Sequence, residues 1–163
     1  MAETATKQRK APARFDSPQQ EAFLSLWRTY DRLRAIEDEF FARLDLTAAQ
    51  YNVLRLLRAQ HPQMAATLDV ADRLISRAPD ITRIIDKLEQ RGLVTRVRSK
   101  SDRRTVLVGI TRAGLTLLAE TAEALCACHK QQLGHMSAGD LKRVVALLRA
   151  MREPYEPQDS SWR

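Results

Sequence analysis

Between residues 81 and 110 the spacing of apolar residues changes period, and few folds accommodate such a change. Ile81, Ile84, Ile85 and Leu88 recur at the three-and-four spacing of a helix with one buried face. Arg91-Gly92 reads as its stop, because glycine takes the left-handed conformation that closes a helix. Two stretches rich in β-formers follow, "LVTRVR" (93–98) and "TVLVGI" (105–110), and Val106, Val108 and Ile110 alternate as in a half-buried strand. "SKSDRR" between them reads as an exposed hairpin tip.

The elements upstream narrow the choice. Thr47-Ala48-Ala49-Gln50 is a capping box opening a helix with Tyr51, Val53, Leu54 and Leu57 inward, which ends before Pro62. Thr67 starts a short helix with Leu68, Val70, Ala71 and Leu74 inward. Helix, short helix, tight turn, helix and hairpin is the order of a winged helix-turn-helix, whose second helix enters the DNA major groove.

This unit is flanked on both sides. Ser17-Pro18-Gln19-Gln20 opens a long helix striped by Phe23, Leu26, Trp27, Tyr30, Leu33, Ile36, Phe40, Phe41 and Leu44. Thr111 caps a helix with Leu115, Leu118, Ala122, Leu125 and Leu133 inward, and Ser137 one with Leu141, Val144, Val145, Leu148 and Met151 inward. We therefore expect a mainly α chain of about six helices with a two-stranded β-wing. A basic tail (1–16) precedes an N-terminal dimerisation helix (17–46) and the DNA-binding domain (47–111). C-terminal dimerisation helices (112–152) and a flexible tail (153–163) follow. The terminal stripes exceed what the winged helix covers alone, and a closed two-fold dimer is the commonest solution.

Charge points to the partner. The 163 residues carry a net +7. Residues 76–104 hold nine basic and four acidic side chains, so most of the excess lies in under a fifth of the chain. With the isoleucine stripe facing the core, Arg77, Asp80, Arg83 and Lys87 turn to solvent. Arg83, one turn in, suits the bidentate fit to guanine, and Lys87 suits phosphate. Asp80 accepts from cytosine or repels phosphate. Pro79 is expected in the first turn, behind Ser76 or Ala78 as cap, where its missing N–H costs little. The candidate contacts to double-stranded DNA are Ser76, Arg77, Pro79, Asp80, Thr82, Arg83 and Lys87 on the recognition helix. On the wing they are Arg96, Arg98, Lys100, Asp102, Arg103 and Arg104.

Other classes find little support. No apolar stretch is long enough for a membrane span, the first residues lack the apolar core of a signal peptide, and two cysteines make no disulfide framework. A cytoplasmic protein without membrane contact is expected. "CACH" places Cys126 and His129 on one helix face, with Cys128 between them and His135 beyond, but cysteine and alanine within an apolar stripe usually pack. No phosphate loop, paired-carboxylate site or nucleophile–base pair stands out. We expect no enzyme, metal or cofactor.

The segment "RLISRAPDITRIIDKLEQRGLVTRVRSKSDRRTVLVGITRAG" (73–114) resembles the MarR (multiple antibiotic resistance regulator) family of bacterial transcription factors. The resemblance is strongest over 47–114 and extends over about 17–151. Its most specific feature is Asp102-x-Arg104 followed by Val108-x-Ile110-Thr111-x-x-Gly114, similar to the family's wing motif. The resemblance implies a homodimer joined through its terminal helices on a pseudo-palindromic operator, most often as a repressor. It implies that Pro79 and Arg83 contact DNA, that Asp102 orients the wing by pairing with arginine, and that Arg103 or Arg104 enters the minor groove. It also implies a small aromatic or phenolic effector near Trp27, Tyr30, Arg34, Tyr51 and Arg55; the alternative is that these aromatics are core with arginine at the rim. The alternative to a sequence-specific regulator is a winged-helix interaction module or a non-specific architectural DNA binder.

Overall fold

The computed structural model describes residues 15–75, 80–102, 104–158 and 160. Six α-helices and three strands follow one another there: α1 (Pro18–Ala42), α2 (Ala48–Gln60), β1 (Ala65–Ala66), α3 (Thr67–Asp72), α4 (Ile81–Gln90), β2 (Val94–Arg98), β3 (Val106–Ile110), α5 (Arg112–Leu133) and α6 (Ala138–Arg152). The chain divides between Ala35 and Ile36 into two units.

Caps set the helix starts where the sequence places them. Thr47 and Gln50 exchange both bonds of the capping box at α2. Ser17 Oγ accepts from the N–H of Gln20 at 3.1 Å, but the Gln20 amide oxygen reaches the N–H of Asp16, not that of Ser17. Thr111 and Ser137 cap α5 and α6 by accepting from Gly114 and Asp140.

The core of the larger unit lies beneath α4. Phe41, Val53, Leu54, Leu57, Ile85, Leu88, Val108 and Leu118 are its most completely buried side chains. The sheet has three antiparallel strands in the order β1-β3-β2, one more than expected. Ala65 pairs with Val108 and Ala66 with Leu107. Two alanines carry no β signature, so only the tertiary pairing reveals the strand. The exposed tail also begins with order, a 3₁₀ turn at Glu153–Tyr155.

Three inward assignments are corrected. Leu68 is 73% exposed, because α3 buries only Val70 and, just beyond its end, Leu74 shields the core. In α5 Ala122 is exposed, and the buried line runs through Gly114, Leu118, Thr121 and Cys128. The Thr121 hydroxyl donates to the Leu117 carbonyl at 2.8 Å, which lets a polar residue occupy that line. No residue of α6 is buried, and Val144, Val145, Leu147 and Met151 all face solvent in the single chain.

In the smaller unit the first part of α1 leaves Phe23, Leu26, Trp27 and Tyr30 exposed. Phe23 and Trp27 meet edge to face at 6.2 Å, and the Arg34 guanidinium stands 6.0 Å from the Tyr30 ring.

Candidate nucleic-acid interface

The recognition helix α4 begins later than the sequence suggests. Its N-cap is Asp80, whose Oδ1 accepts from the Arg83 N–H at 2.9 Å. Asp80 thus stands where Ser76 or Ala78 was expected as the cap. Pro79 itself, with Ser76 and Arg77, lies outside the described residues, as does Arg103. One oxygen of Asp80 is thus committed to the protein's own backbone.

The other end of α4 closes as glycine permits. Gly92 takes φ +68°; its N–H donates to the Glu89 carbonyl at 2.8 Å, and Leu93 N–H to that of Leu88 at 2.9 Å. The chain reverses into β2 within three residues, Arg91–Leu93, which places the wing beside the helix. Thr111 completes the junction: its hydroxyl donates to the Gly92 carbonyl at 2.7 Å while capping α5.

The wing tip is ordered by Asp102. Its carboxylate accepts from the Arg104 N–H at 3.0 Å and from the Thr105 hydroxyl at 2.7 Å, and no described arginine side chain pairs with it. The Thr105 hydroxyl, followed by the Arg104 N–H, holds the Asp102 carboxyl below the usual carboxylate range. Among the described residues Asp102 is thus held by backbone and hydroxyl donors, and Arg103 lies outside them.

The basic residues divide into two groups that the sequence does not distinguish. Arg91 donates to the carbonyls of Asp45 and, at 3.2 Å, Leu44, closing the C-terminal end of α1 where Asp45 adopts φ +51°. Arg96, expected on DNA, spans from β2 to α4: Nε donates to Glu89 Oε2 at 2.8 Å, and Nη1 pairs with Asp86 Oδ1. The hydrogen bond to Arg96 holds the Glu89 carboxyl low, and Glu89, with a smaller share from Asp86, raises the Arg96 guanidinium. In contrast, Arg83, Lys87, Arg98, Lys100 and Arg104 are exposed and form no ion pair among the described residues. Thr82 is exposed beside them. A cleft of about 440 Å³ lies between the start of α3, α4 and the wing, with Thr82, Arg96 and Arg104 among its walls.

The proposed effector residues fall in both units. Trp27, Tyr30 and Arg34 belong to the smaller one. In the larger, Tyr51 packs on the core with its ring 5.0 Å from that of Phe41, and Arg55 donates to the buried Asn52 side chain at 3.1 Å. Tyr51 is half-buried there. Of the histidine and cysteine cluster, Cys126 is exposed, Cys128 is buried and His129 lies 3.8 Å from Glu37. Among the described residues no three His, Cys, Asp or Glu side chains gather as metal ligands, and no helix is long and apolar enough to cross a membrane.

Comparison with known proteins gives this geometry its context. A family model described as the MarR family matches residues 46–106. A MarR transcription factor from Planctomyces limnophilus is 53% identical, over 84% of this chain and 99% of that one, with a TM-score of 0.67. BpsR of Bordetella bronchiseptica, solved to explain how 6-hydroxynicotinic acid regulates its DNA binding, is 29% identical. That match covers 80% of this chain and 98% of BpsR, with a TM-score of 0.72. Sco3205, a MarR family transcriptional regulator from Streptomyces coelicolor solved in complex with DNA, shares the fold at 19% identity. Its TM-score is 0.77, with 94% of this chain and 98% of that one covered.

Proposed function

The chain belongs to the MarR family of DNA-binding transcriptional regulators, and from that premise we propose that it acts as a homodimeric, sequence-specific repressor on a pseudo-palindromic operator. One observation carries the reading. Among the described residues, five cations on α4 and the wing are exposed and outside any ion pair, while Asp80, Asp86, Glu89 and Asp102 each accept a hydrogen bond within the protein. Such a surface meets phosphates and groove edges without internal competition.

In this reading Arg83 contacts a base edge from the first turn of α4, with Ser76, Arg77, Pro79, Asp80, Thr82 and Lys87 as its neighbours on the duplex. Arg98, Lys100, Arg103 and Arg104 follow the backbone and minor groove, where a narrow A·T-rich tract attracts arginine. Two copies join through α1, α5 and α6. The unburied apolar side chains of α6 and of the first part of α1 support this, since a solvated apolar face of that extent usually has a partner. Ligand control rests on the likeness to BpsR, and we propose a small aromatic or phenolic effector, with Trp27, Tyr30, Arg34, Tyr51 and Arg55 as its candidate contacts. Such a ligand releases DNA only by preferring the geometry that does not bind it.

Arg83→Ala tests the base contact. It should weaken binding to the preferred duplex by about 1–3 kcal/mol and relax base preference at one position of each half-site. Equal weakening on every sequence would place Arg83 on the backbone and favour architectural binding instead.

A further inference from the structure

We propose that Arg96 is a positioning residue for duplex recognition, which locks α4 and the wing into one rigid reading unit without contacting DNA itself. The proposal rests on the DNA-binding reading above and adds to it the device that fixes the two reading elements relative to each other.

The chain joins α4 to β2 through only the short turn at Arg91–Leu93, at one end of both elements. A single turn acts as a hinge unless something spans the gap further along. Arg96 is in the middle of β2 and pairs in register with Val108, which is fully buried. Directly opposed residues of an antiparallel pair share a face, so the Arg96 stem leaves the sheet on the side of the core. Its guanidinium meets Asp86 and Glu89, which are three residues apart and therefore lie on one face of α4. Two carboxylates from successive turns orient a planar guanidinium, and so fix an angle as well as a distance. The side chain is 31% exposed, enough shielding for the pair to resist salt better than an open surface pair. The same contact neutralises both acids of α4 that would otherwise face phosphates.

The test uses a duplex recovered by the wild-type chain from a randomised pool, with a scrambled duplex as control, in fluorescence anisotropy over a salt series. Arg96→Lys keeps the charge but not the bridge, and should lower affinity for the selected duplex about tenfold. Its affinity for the scrambled duplex and its salt slope should stay near wild type. Asp86→Asn with Glu89→Gln leaves Arg96 in place, adds positive charge, and should nevertheless lower the ratio of selected to scrambled binding. An Arg96→Lys chain as selective as wild type overturns the brace, and so does an Arg96→Gln chain whose salt slope on the scrambled duplex falls by about one phosphate contact per chain. So does an acid double variant that keeps its selectivity. A wild-type chain that prefers no duplex overturns the DNA reading together with the brace, and is distinguished from the brace's own failure by the wild-type curve alone. Should Arg96→Lys fail to fold, the acid double variant carries the decision.

Discussion

A Cβ at Gly114 would stand 2.4 Å from the Leu93 carbonyl oxygen and 2.7 Å from Ile110 Cγ1, so the wing motif needs glycine where α5 crosses the α4–β2 turn. The obstruction includes backbone that cannot step aside, so Gly114→Ala should destabilise the fold by about 1–3 kcal/mol in urea unfolding. An unchanged unfolding midpoint would show that the turn yields. The glycine was legible as part of a motif, but its reason was not, because the close approach joins residues twenty-one positions apart. The arginines teach the same lesson. Nine basic residues in one segment announce a polyanionic partner, yet composition does not separate Arg91 and Arg96, bound to carbonyls and carboxylates, from Arg83 and Arg104, which form no ion pair among the described residues. Side-chain partners across the fold make that division.

At the scale of elements, the hydrophobic period and the caps at Thr47, Thr111 and Ser137 placed the helices well, since both signals are local. The third strand and the exposed Leu68 were illegible because pairing with β3 and the direction of α3 are decided elsewhere in the chain. The junction between α4 and β2 has a pH signature. The Arg96 hydrogen bond keeps the Glu89 carboxyl below its ordinary value of 4.5. A lowered folded-state value stabilises the fold above the unfolded value, and that contribution disappears as pH falls through the lowered one. The thermal midpoint of wild type should therefore decline with acidification from about pH 4.5 downwards more steeply than that of Glu89→Gln. Parallel profiles would mean that the pair adds nothing to stability.

At the scale of the whole molecule, α6 and the first part of α1 present apolar side chains that the single chain leaves in water, among them Trp27 at 62% and Leu147 at 65% exposed. Their apolar periodicity was legible, but which of them a single chain buries was not, because one pattern serves a core and an interface alike. Leu147→Asp should leave the fold largely intact, since Leu147 is 65% exposed in the single chain, and should shift the sedimenting species from dimer to monomer. A variant that stays dimeric would move the interface elsewhere. The central claim is that two copies of α4 and the wing read adjacent turns of one duplex. Sequencing the duplexes that the purified chain retains from a randomised pool tests it most directly. The account predicts an enriched inverted repeat whose half-site centres lie about 10–10.5 base pairs apart. A pool without an enriched motif, or one enriched in a single unrepeated half-site, would contradict it.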